Sequence, residues 1–364
     1  MDIHRLEALA AQQQRVCGHL MSCRTEALGG QEGRCDRCGA EQPRYRSCGD
    51  RHCPQCQGRA TEAWSERQSA NQLPVPYFHL VFTLPHRLNP WVQSHPEVIY
   101  RALFHAAWGT LDAFGHDPKR LGGQLGMTGV LHTWGQSLCQ HVHLHCMVPG
   151  GALADDGTWL PARGSYLFPV RALSRHFRGR MVSALRSAAK AGELTGIDPG
   201  AVSALLDALM GEEWVVFAKP CLEHTASLIG YLARYTHRIA ISNARILGVD
   251  GDKVYVSYRD YRDGEHKTLT LDAAEFIRRF LLHVLPKGLM RVRHYGLLAN
   301  RCRVQRLAQI RKVLAVPPPE PEPAAEQGQE PEPGWPCPMC RRGRMRPVRR
   351  IAPRRAALGC APDR

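Results

Sequence analysis

Three histidines alternate with apolar residues in the run His141-Val-His143-Leu-His145. In a β-strand alternate side chains share a face, so the imidazoles would line one face while Val142 and Leu144 pack on the other. Imidazole is a common metal ligand. The spacing predicts a metal-binding face backed by a core face, and the alternative is a histidine cluster without an ion.

A further histidine comes from the element that must lie beside this strand. Two strand-like runs, 127–134 and 139–148, are separated by Gly-Gln-Ser-Leu and predict a hairpin. With the turn centred on its Gln and Ser, His132 would lie opposite His141, within reach of a metal shared with the other histidines. A different register would move His132 to the opposite face.

Cysteine pairs form a second group with ligand chemistry. Cys35-Asp-Arg-Cys38 and Cys53-Pro-Gln-Cys56 are separated by fourteen residues, a spacing typical of zinc modules in which each pair offers two thiolates to one ion. We therefore predict a structural Zn²⁺ site made by these four cysteines. Three further groups nearby are either free or ligands of a second site that needs a shared or additional ligand: Cys23, Cys48 and His52.

Composition bounds the class of protein. The 364 residues carry 48 Lys and Arg against 33 Asp and Glu, a net charge of +15, which favours a polyanionic partner such as nucleic acid over a merely basic soluble protein. The 14 cysteines are clustered in pairs, which favours metal sites in a reducing compartment over disulfides. No apolar run is long enough to cross a bilayer. We expect a cytoplasmic, DNA-associated protein without a membrane partner.

Residues 223–238 have the pattern of a helix that places Tyr231 and Tyr235 four apart on one face. Such a pair is ordinarily core packing. Arg234 and Arg238 beside it favour a functional role, since an apolar seam would not need them.

Other segments frame these motifs. Residues 77–84 predict a central strand, 90–115 one helix, and 272–285 an amphipathic helix that starts at Asp272. Basic side chains predict contacts with DNA phosphates, with a solvated surface as the alternative. Those chosen are Arg51, Arg278, Arg279, Arg291, Arg293, Arg301 and Arg303.

The C-terminal region changes character at an acidic, proline-rich stretch, 317–334, that should be extended and unfolded. Beyond it, Cys337-Pro-Met-Cys340 heads an arginine-rich tail. The tail is interpreted either as a degenerate zinc knuckle or as a flexible basic arm on nucleic acid.

Several motifs together carry a resemblance to a known family. A His-hydrophobic-His strand with a Tyr-x-x-x-Tyr helix resembles the HUH single-strand endonucleases. Together with the other motifs of this chain, they resemble the rolling-circle transposases of the insertion sequence 91 family. The segment Arg51-His-Cys-Pro-Gln-Cys56 resembles part of that family's zinc-binding domain. Val142 departs from the family, which often has proline there. The supporting motifs are Leu131-His-Thr-Trp-Gly-Gln136, Pro149-Gly-Gly151, Glu275-Phe-Ile-Arg-Arg-Phe280 and Arg293-His-Tyr-Gly296.

The resemblance implies an α+β protein whose nuclease domain has a central antiparallel sheet flanked by helices. The expected parts are a zinc-binding module (1–60), a helical connector (61–76), the HUH two-tyrosine domain (77–314), a disordered linker (315–334) and a basic Cys-x-x-Cys tail (335–364).

The resemblance also implies a mechanism: nicking of single-stranded DNA at transposon ends through a 5′-phosphotyrosine, followed by strand transfer to target DNA. The expected nucleophiles are Tyr231 and Tyr235, assisted by Arg234 and Arg238. His143 and His145 would hold Mg²⁺ or Mn²⁺, with His132 or His141 as the third ligand. The sequence has no phosphate-binding Gly-x-x-x-x-Gly-Lys loop, so strand separation would depend on supercoiling or a host helicase.

Three alternatives remain open. A plasmid relaxase or replication initiator would use the same chemistry at a plasmid origin. A non-catalytic, zinc-dependent DNA-binding regulator would need neither tyrosine. A zinc hydrolase with three imidazoles and a water would keep its activity without the tyrosines.

Overall fold

The computed structural model describes residues 10–56, 72–162, 167–220, 240–260, 262–316 and 334–354. These fall in two compact units, one made of Met1–Ala60 with Pro319–Arg364 and the other of Thr61–Pro318. The described chain is α+β, as predicted. None of its helices is long and apolar enough to span a membrane.

The regular elements of the described residues are numbered in chain order. The seven helices are α1 (Ala11–Ser22), α2 (Asn89–Ser94), α3 (Pro96–His116), α4 (Val170–Lys190), α5 (Pro199–Gly211), α6 (Ala273–Leu281) and α7 (Arg303–Val313). The first seven strands are β1 (Gly30–Cys35), β2 (Glu41–Tyr45), β3 (Tyr77–Thr83), β4 (Gly126–Trp134), β5 (Gln140–Pro149), β6 (Gly151–Leu153) and β7 (Trp159–Pro161). The others are β8 (Val216–Pro220), β9 (Ile246–Asp250), β10 (Lys253–Arg259), β11 (His266–Asp272), β12 (Val292–Gly296), β13 (Trp335–Pro336) and β14 (Arg344–Ile351).

The unit Thr61–Pro318 is built on a five-stranded antiparallel sheet with the order β12-β4-β5-β3-β8. The prediction of a strand at 77–84 and of a hairpin from 127–134 and 139–148 is confirmed by β3, β4 and β5. The histidine-bearing strand β5 lies in the middle of the sheet, with a hydrogen-bonded neighbour on each side. Its backbone is therefore held from both edges.

One face of this sheet carries the core. Leu80, Val142 and Leu144 point to that face and pack with α3, α4 and α5, for example against Leu103 and Phe177. The side chains between them on β3 and β5 point to the other face, so the alternation in sequence separates core residues from histidines.

Two predicted helices differ from the observed ones. Pro96 divides 90–115 into α2 and α3, because proline has no N–H to continue the first helix and is well suited to begin the second. Helix α6 ends at Leu281 rather than at residue 285. Asp272 precedes α6 as predicted, but its carboxylate forms an ion pair with Lys253 rather than a cap hydrogen bond.

The second unit contains a four-stranded antiparallel sheet with the order β13-β14-β1-β2. Strand β14 pairs with β1 over six residue pairs, from Gly30 with Ile351 to Cys35 with Met345. Residues 334–354 therefore belong to the same sheet as the N-terminal module. The interpretation of this part of the tail as a flexible arm is wrong, because its backbone hydrogen bonds are made to β1.

Candidate functional site

The β4–β5 hairpin brings three imidazoles together. His132, His143 and His145 each offer a ring nitrogen, and these nitrogens all lie within 4.8 Å of one another. His132 and His145 are buried, with 2% and 7% of their surface exposed. The sequence prediction that His132 shares the histidine face is confirmed by this arrangement.

The register of the hairpin differs from the predicted one. His132 pairs with His143, not with His141, and the register shifts between His132 and Trp134. The irregularity arises next to a five-residue turn in which Gly135 N–H donates to Cys139 O over 3.0 Å. This shift is a β-bulge, which adds a residue to one strand and displaces all pairs beyond it.

Hydrogen bonds to Nδ1 orient two of the imidazoles. His143 Nδ1–H donates to the carbonyl of His141 over 2.8 Å, which leaves Nε2 as its metal-binding nitrogen. Nδ1 of His145 lies 2.8 Å from Nε2 of His79, and the two rings stack with centroids 5.0 Å apart. Partners of this kind fix the tautomer and orientation of metal-binding histidines.

His79 was missed by the sequence analysis although a signal was present. In β3 the core side chains are Phe78, Leu80 and Phe82, so period-2 alternation places His79 on the histidine face. The apolar and aromatic residues of β3 predict only a central strand, and the histidine among them was overlooked.

His141 is not a member of the three-histidine group, although its ring centroid lies 4.9 Å from that of His143. Its Nδ1 is 3.4 Å from Nε2 of His86, and its ring centroid is 5.3 Å from that ring. The structure thus groups His132, rather than His141, with His143 and His145.

Two of the grouped imidazoles, His143 and His145, are neutral near pH 7. Burial lowers the pKa of His143 to about 4, with the neighbouring His141 acting in the same direction. Burial and the adjacent His143 hold the pKa of His145 well below its usual range, and burial lowers the pKa of His79 to about 4. Since only unprotonated nitrogen binds a metal, the lowered pKa values of His143 and His145 and the convergence of all three ring nitrogens fit a divalent transition-metal ion.

Three side chains from later in the chain hold the hairpin turn by its carbonyls. Arg245 donates to Gln136 O, Arg279 Nη1 to Ser137 O over 3.0 Å, and His283 Nε2–H to Leu138 O over 3.1 Å. Leu138 is fully buried and has a φ of +61°, a conformation that L-residues rarely adopt. We call Arg245, Arg279 and His283 the turn clamp.

The predicted DNA-binding arginines fall into different environments. Arg279 is part of the turn clamp, and Arg278 forms an ion pair with Glu275 over 2.6 Å. Arg291 is buried with its guanidinium 5.5 Å from the Trp134 ring, and that of Arg293 lies 4.3 Å from the Phe104 ring. The other three are Arg301 and Arg303, which each line a pocket, and Arg51, whose pKa is lowered by burial.

The predicted tyrosine helix lies outside the described residues. Tyr231, Tyr235, Arg234 and Arg238 all belong to the segment 221–239, and their roles remain predictions. The segment follows β8 directly in the chain. β8 pairs with β3, which pairs with the histidine strand β5.

Eight of the described cysteines form two groups of four, and the predicted grouping is wrong. Cys53 and Cys56 lie with Cys23 and Cys48, whereas Cys35 and Cys38 lie with the C-terminal pair Cys337 and Cys340. The spacing of two Cys-x-x-Cys pairs identifies ligands but does not determine which pairs share an ion.

The first group has the dimensions of a tetrathiolate zinc site. Its Sγ atoms are 3.5 Å apart for Cys23 and Cys56, 3.6 Å for Cys23 and Cys53, and 3.7 Å for Cys48 and Cys56. Zn–S bonds of about 2.3 Å in a tetrahedron give S···S edges of about 3.8 Å, whereas a disulfide would need about 2.05 Å. These four thiols fit Zn²⁺.

His52 is not part of either group. Its Nδ1 lies 2.8 Å from Asp50 Oδ1, and His19 Nδ1 lies 2.7 Å from Asp50 Oδ2. Burial raises the pKa of Asp50, but hydrogen bonds from both histidines outweigh it and hold that pKa below the usual range. The predicted extra ligand thus orients a carboxylate next to Cys48.

Comparison with known proteins gives two family matches and two relatives. Residues 126–306 match a family described as "Putative transposase", and residues 2–84 match a transposase zinc-binding domain. No solved structure matches the chain.

One relative is "Putative transposase y4qJ" of Sinorhizobium fredii (strain NBRC 101917 / NGR234), 43% identical over 86% of this chain and 81% of its own length. Another is the transposase for insertion sequence element IS801 of Pseudomonas savastanoi pv. phaseolicola, 30% identical over 84% of this chain and 74% of its own length. With these matches, the chain belongs to the insertion sequence 91 family of transposases.

Proposed function

We propose that this transposase nicks single-stranded DNA at transposon ends through a covalent 5′-phosphotyrosine and transfers the strand to target DNA, as in rolling-circle transposition. The observation that carries the proposal is the convergence of His132, His143 and His145 on the sheet face opposite the helical core. A rigid metal site of this kind is suited to holding a phosphodiester in place during cleavage.

His132, His143 and His145 are the residues that would hold the divalent ion. When bound, it would supply charge neutralisation at the scissile phosphate. Mn²⁺ suits imidazole better than Mg²⁺, which prefers oxygen ligands, so we expect stronger activity with Mn²⁺. His79 would keep the His145 ring oriented through its contact at Nδ1.

Tyr231 or Tyr235 would act as the nucleophile. Its Oη would form a bond with phosphorus while the bond from phosphorus to the 3′ oxygen breaks, and the departing oxygen would take up a proton. The products are a 5′-phosphotyrosine and a free 3′-hydroxyl, so the bond energy is conserved for rejoining without ATP. A phenol has an ordinary pKa of about 10, and Arg234 or Arg238 would favour its anionic form. Two tyrosines allow one covalent joint with the donor strand and one with the target strand.

The decisive experiment follows the covalent product. Purified protein is incubated with 3′-labelled single-stranded DNA from a transposon end and with Mn²⁺, and a labelled band that resists denaturation is expected. Tyr231→Phe with Tyr235→Phe should abolish the band, whereas Tyr255→Phe in β10 is the matched control and should keep it. Failure of the wild-type protein to form the band on its own transposon ends would contradict the proposal.

The same assay separates the other candidate functions. Three converging imidazoles also suit a zinc hydrolase, which would cleave DNA without a covalent product and survive loss of both tyrosines. A DNA-binding regulator would bind without cleaving. A plasmid relaxase would prefer a plasmid origin to the transposon ends.

A further inference from the structure

We propose that Cys35, Cys38, Cys337 and Cys340 form a structural zinc site that fastens the C-terminal segment to the N-terminal module. The matched zinc-binding domain ends at residue 84, so two of the four ligands lie outside it. The site joins cysteines as much as 305 residues apart in sequence.

The sulfur geometry is that of a tetrathiolate. Cys35 and Cys340 have their Sγ atoms 3.7 Å apart, and Cys38 and Cys337 have theirs 3.8 Å apart. These distances match the S···S edge of about 3.8 Å expected around a tetrahedral Zn²⁺. Each contact joins one N-terminal and one C-terminal cysteine. The short S···S distances therefore come from the fold and not from closeness in sequence.

Backbone N–H groups surround the sulfurs. Sγ of Cys35 accepts from the N–H of Arg37 over 3.4 Å and of Cys38 over 3.5 Å, while Sγ of Cys340 accepts from the N–H of Gly343 over 3.3 Å. Donors of this kind stabilise thiolate over thiol, and thiolate is the form that binds zinc. One sulfur of each Cys-x-x-Cys pair therefore accepts hydrogen bonds from the backbone.

The backbones of the two turns are fitted to each other. A Cβ on Gly343 would lie 2.5 Å from Cys35 Sγ, so only glycine allows the approach. Arg344 N–H donates to Asp36 Oδ1 over 2.9 Å, and Asp36 N–H donates to Arg344 O over 3.0 Å. These bonds continue the β1–β14 ladder up to the sulfur group.

The other cysteines of the module cannot replace the C-terminal pair. Cys23, Cys48, Cys53 and Cys56 already form a complete group of four, and Cys17 in α1 belongs to neither group. Cys35 and Cys38 therefore need two ligands from elsewhere, and Cys337 and Cys340 supply them. The C-terminal segment is thus part of the zinc module, and its basic strand β14 is held on the same sheet.

The test counts zinc released from full-length protein by a thiol-blocking mercurial, read with a colorimetric chelator. The reagent attacks thiolate ligands, so an ion on the histidines is not counted. We expect two zinc ions per wild-type chain and one for Cys337→Ser with Cys340→Ser. Cys139→Ser with Cys302→Ser, outside both groups, is the matched control and should keep two. Retention of two ions by the Cys337→Ser, Cys340→Ser variant would overturn the proposal.

A second variant separates ligation from folding. Histidine can replace cysteine at zinc, so Cys340→His should keep the second ion. With Co²⁺ in place of zinc, its visible absorption should move to shorter wavelength as one sulfur is exchanged for nitrogen. An unchanged cobalt spectrum would show that residue 340 is not a ligand and would overturn the proposal.

Discussion

The histidine group and the cysteine groups are held in place by different means. His132, His143 and His145 stand on adjacent strands inside a five-stranded sheet, with a helical core behind them. In the cysteine unit, one buried cluster consists of Cys35, Cys337 and Met345 with Trp335 and Cys340 against it, so three of its members belong to the proposed zinc site.

This difference predicts different roles for the metal. The sheet holds the histidine backbone in place without an ion. An ion at the histidines would therefore serve catalysis and would not be needed for folding. In the cysteine unit the ion takes the place of a hydrophobic core that is too small to fold alone.

Zinc removal should unfold the cysteine unit and leave the unit Thr61–Pro318 folded. Structural zinc contributes on the order of 10 kcal/mol to folding of small modules. We expect a strong chelator to abolish hydrogen-exchange protection of the amides in β1 and β14 while those in β4 and β5 stay protected. Equal loss in both units would show that the contrast is wrong.

Loss of one grouped histidine should affect activity but not folding. His143→Ala should lower the rate of DNA cleavage at least about 100-fold, since it removes a ligand that positions the ion. His141→Ala, outside the group, should change the rate less than about tenfold. The rates are measured at saturating Mn²⁺, with circular dichroism as the folding control, and equal effects of both variants would favour His141 as a ligand.

Acid should weaken the hairpin through His283. Burial lowers the pKa of this histidine to about 4, against about 6.5 in the unfolded chain. The unfolded state therefore binds more protons between these values, and the contribution of neutral His283 to stability, present above pH 6.5, is lost as the pH falls toward 4. The expected loss is up to about 3 kcal/mol.

The pH effect is measured as the difference in unfolding free energy between wild type and His283→Gln. This difference should shrink as the pH falls through the stated range. His266→Gln, at the exposed first residue of β11, is the matched control. If the difference in unfolding free energy between wild type and His283→Gln does not change with pH, His283 is not the cause of the pH dependence.

Loss of one arginine of the turn clamp should have the smallest effect. Arg279→Ala leaves the Ser137 carbonyl without its donor and should cost about 1–3 kcal/mol of unfolding free energy. Arg278→Ala removes an exposed side chain that forms an ion pair with Glu275 and should cost less than about 1 kcal/mol. Urea denaturation of the two variants compares these costs, and equal values would mean that Arg279 does not support the turn.

What the sequence could predict depended on distance along the chain. The alternation in β5 and β3, the hairpin and the shared face of His132 and His143 follow from local periodicity. The exact register did not, because the bulge and the left-handed Leu138 are stabilised by side chains such as His283, 145 residues away in sequence. No local pattern encodes that contact.

The zinc module illustrates the same limit. Each Cys-x-x-Cys pair was identified as a ligand pair, yet its partner pair is set by the pairing of β1 with β14. The break of the long helix at Pro96, in contrast, was visible in the sequence. Arg279 was predicted to contact DNA phosphates from its charge. Its actual partner, the Ser137 carbonyl of the hairpin turn, lies 142 residues away in sequence and has no local signal.

The most direct measurement of the central claim is mass spectrometry of the protein–DNA adduct after digestion of both components. We expect a nucleotide-modified peptide from 223–238 with the modification on Tyr231 or Tyr235. The wild type and His141→Ala should form it, and His143→Ala should not. Cleaved DNA with a free 5′ phosphate and no modified tyrosine, or a modification on any other residue, would contradict it.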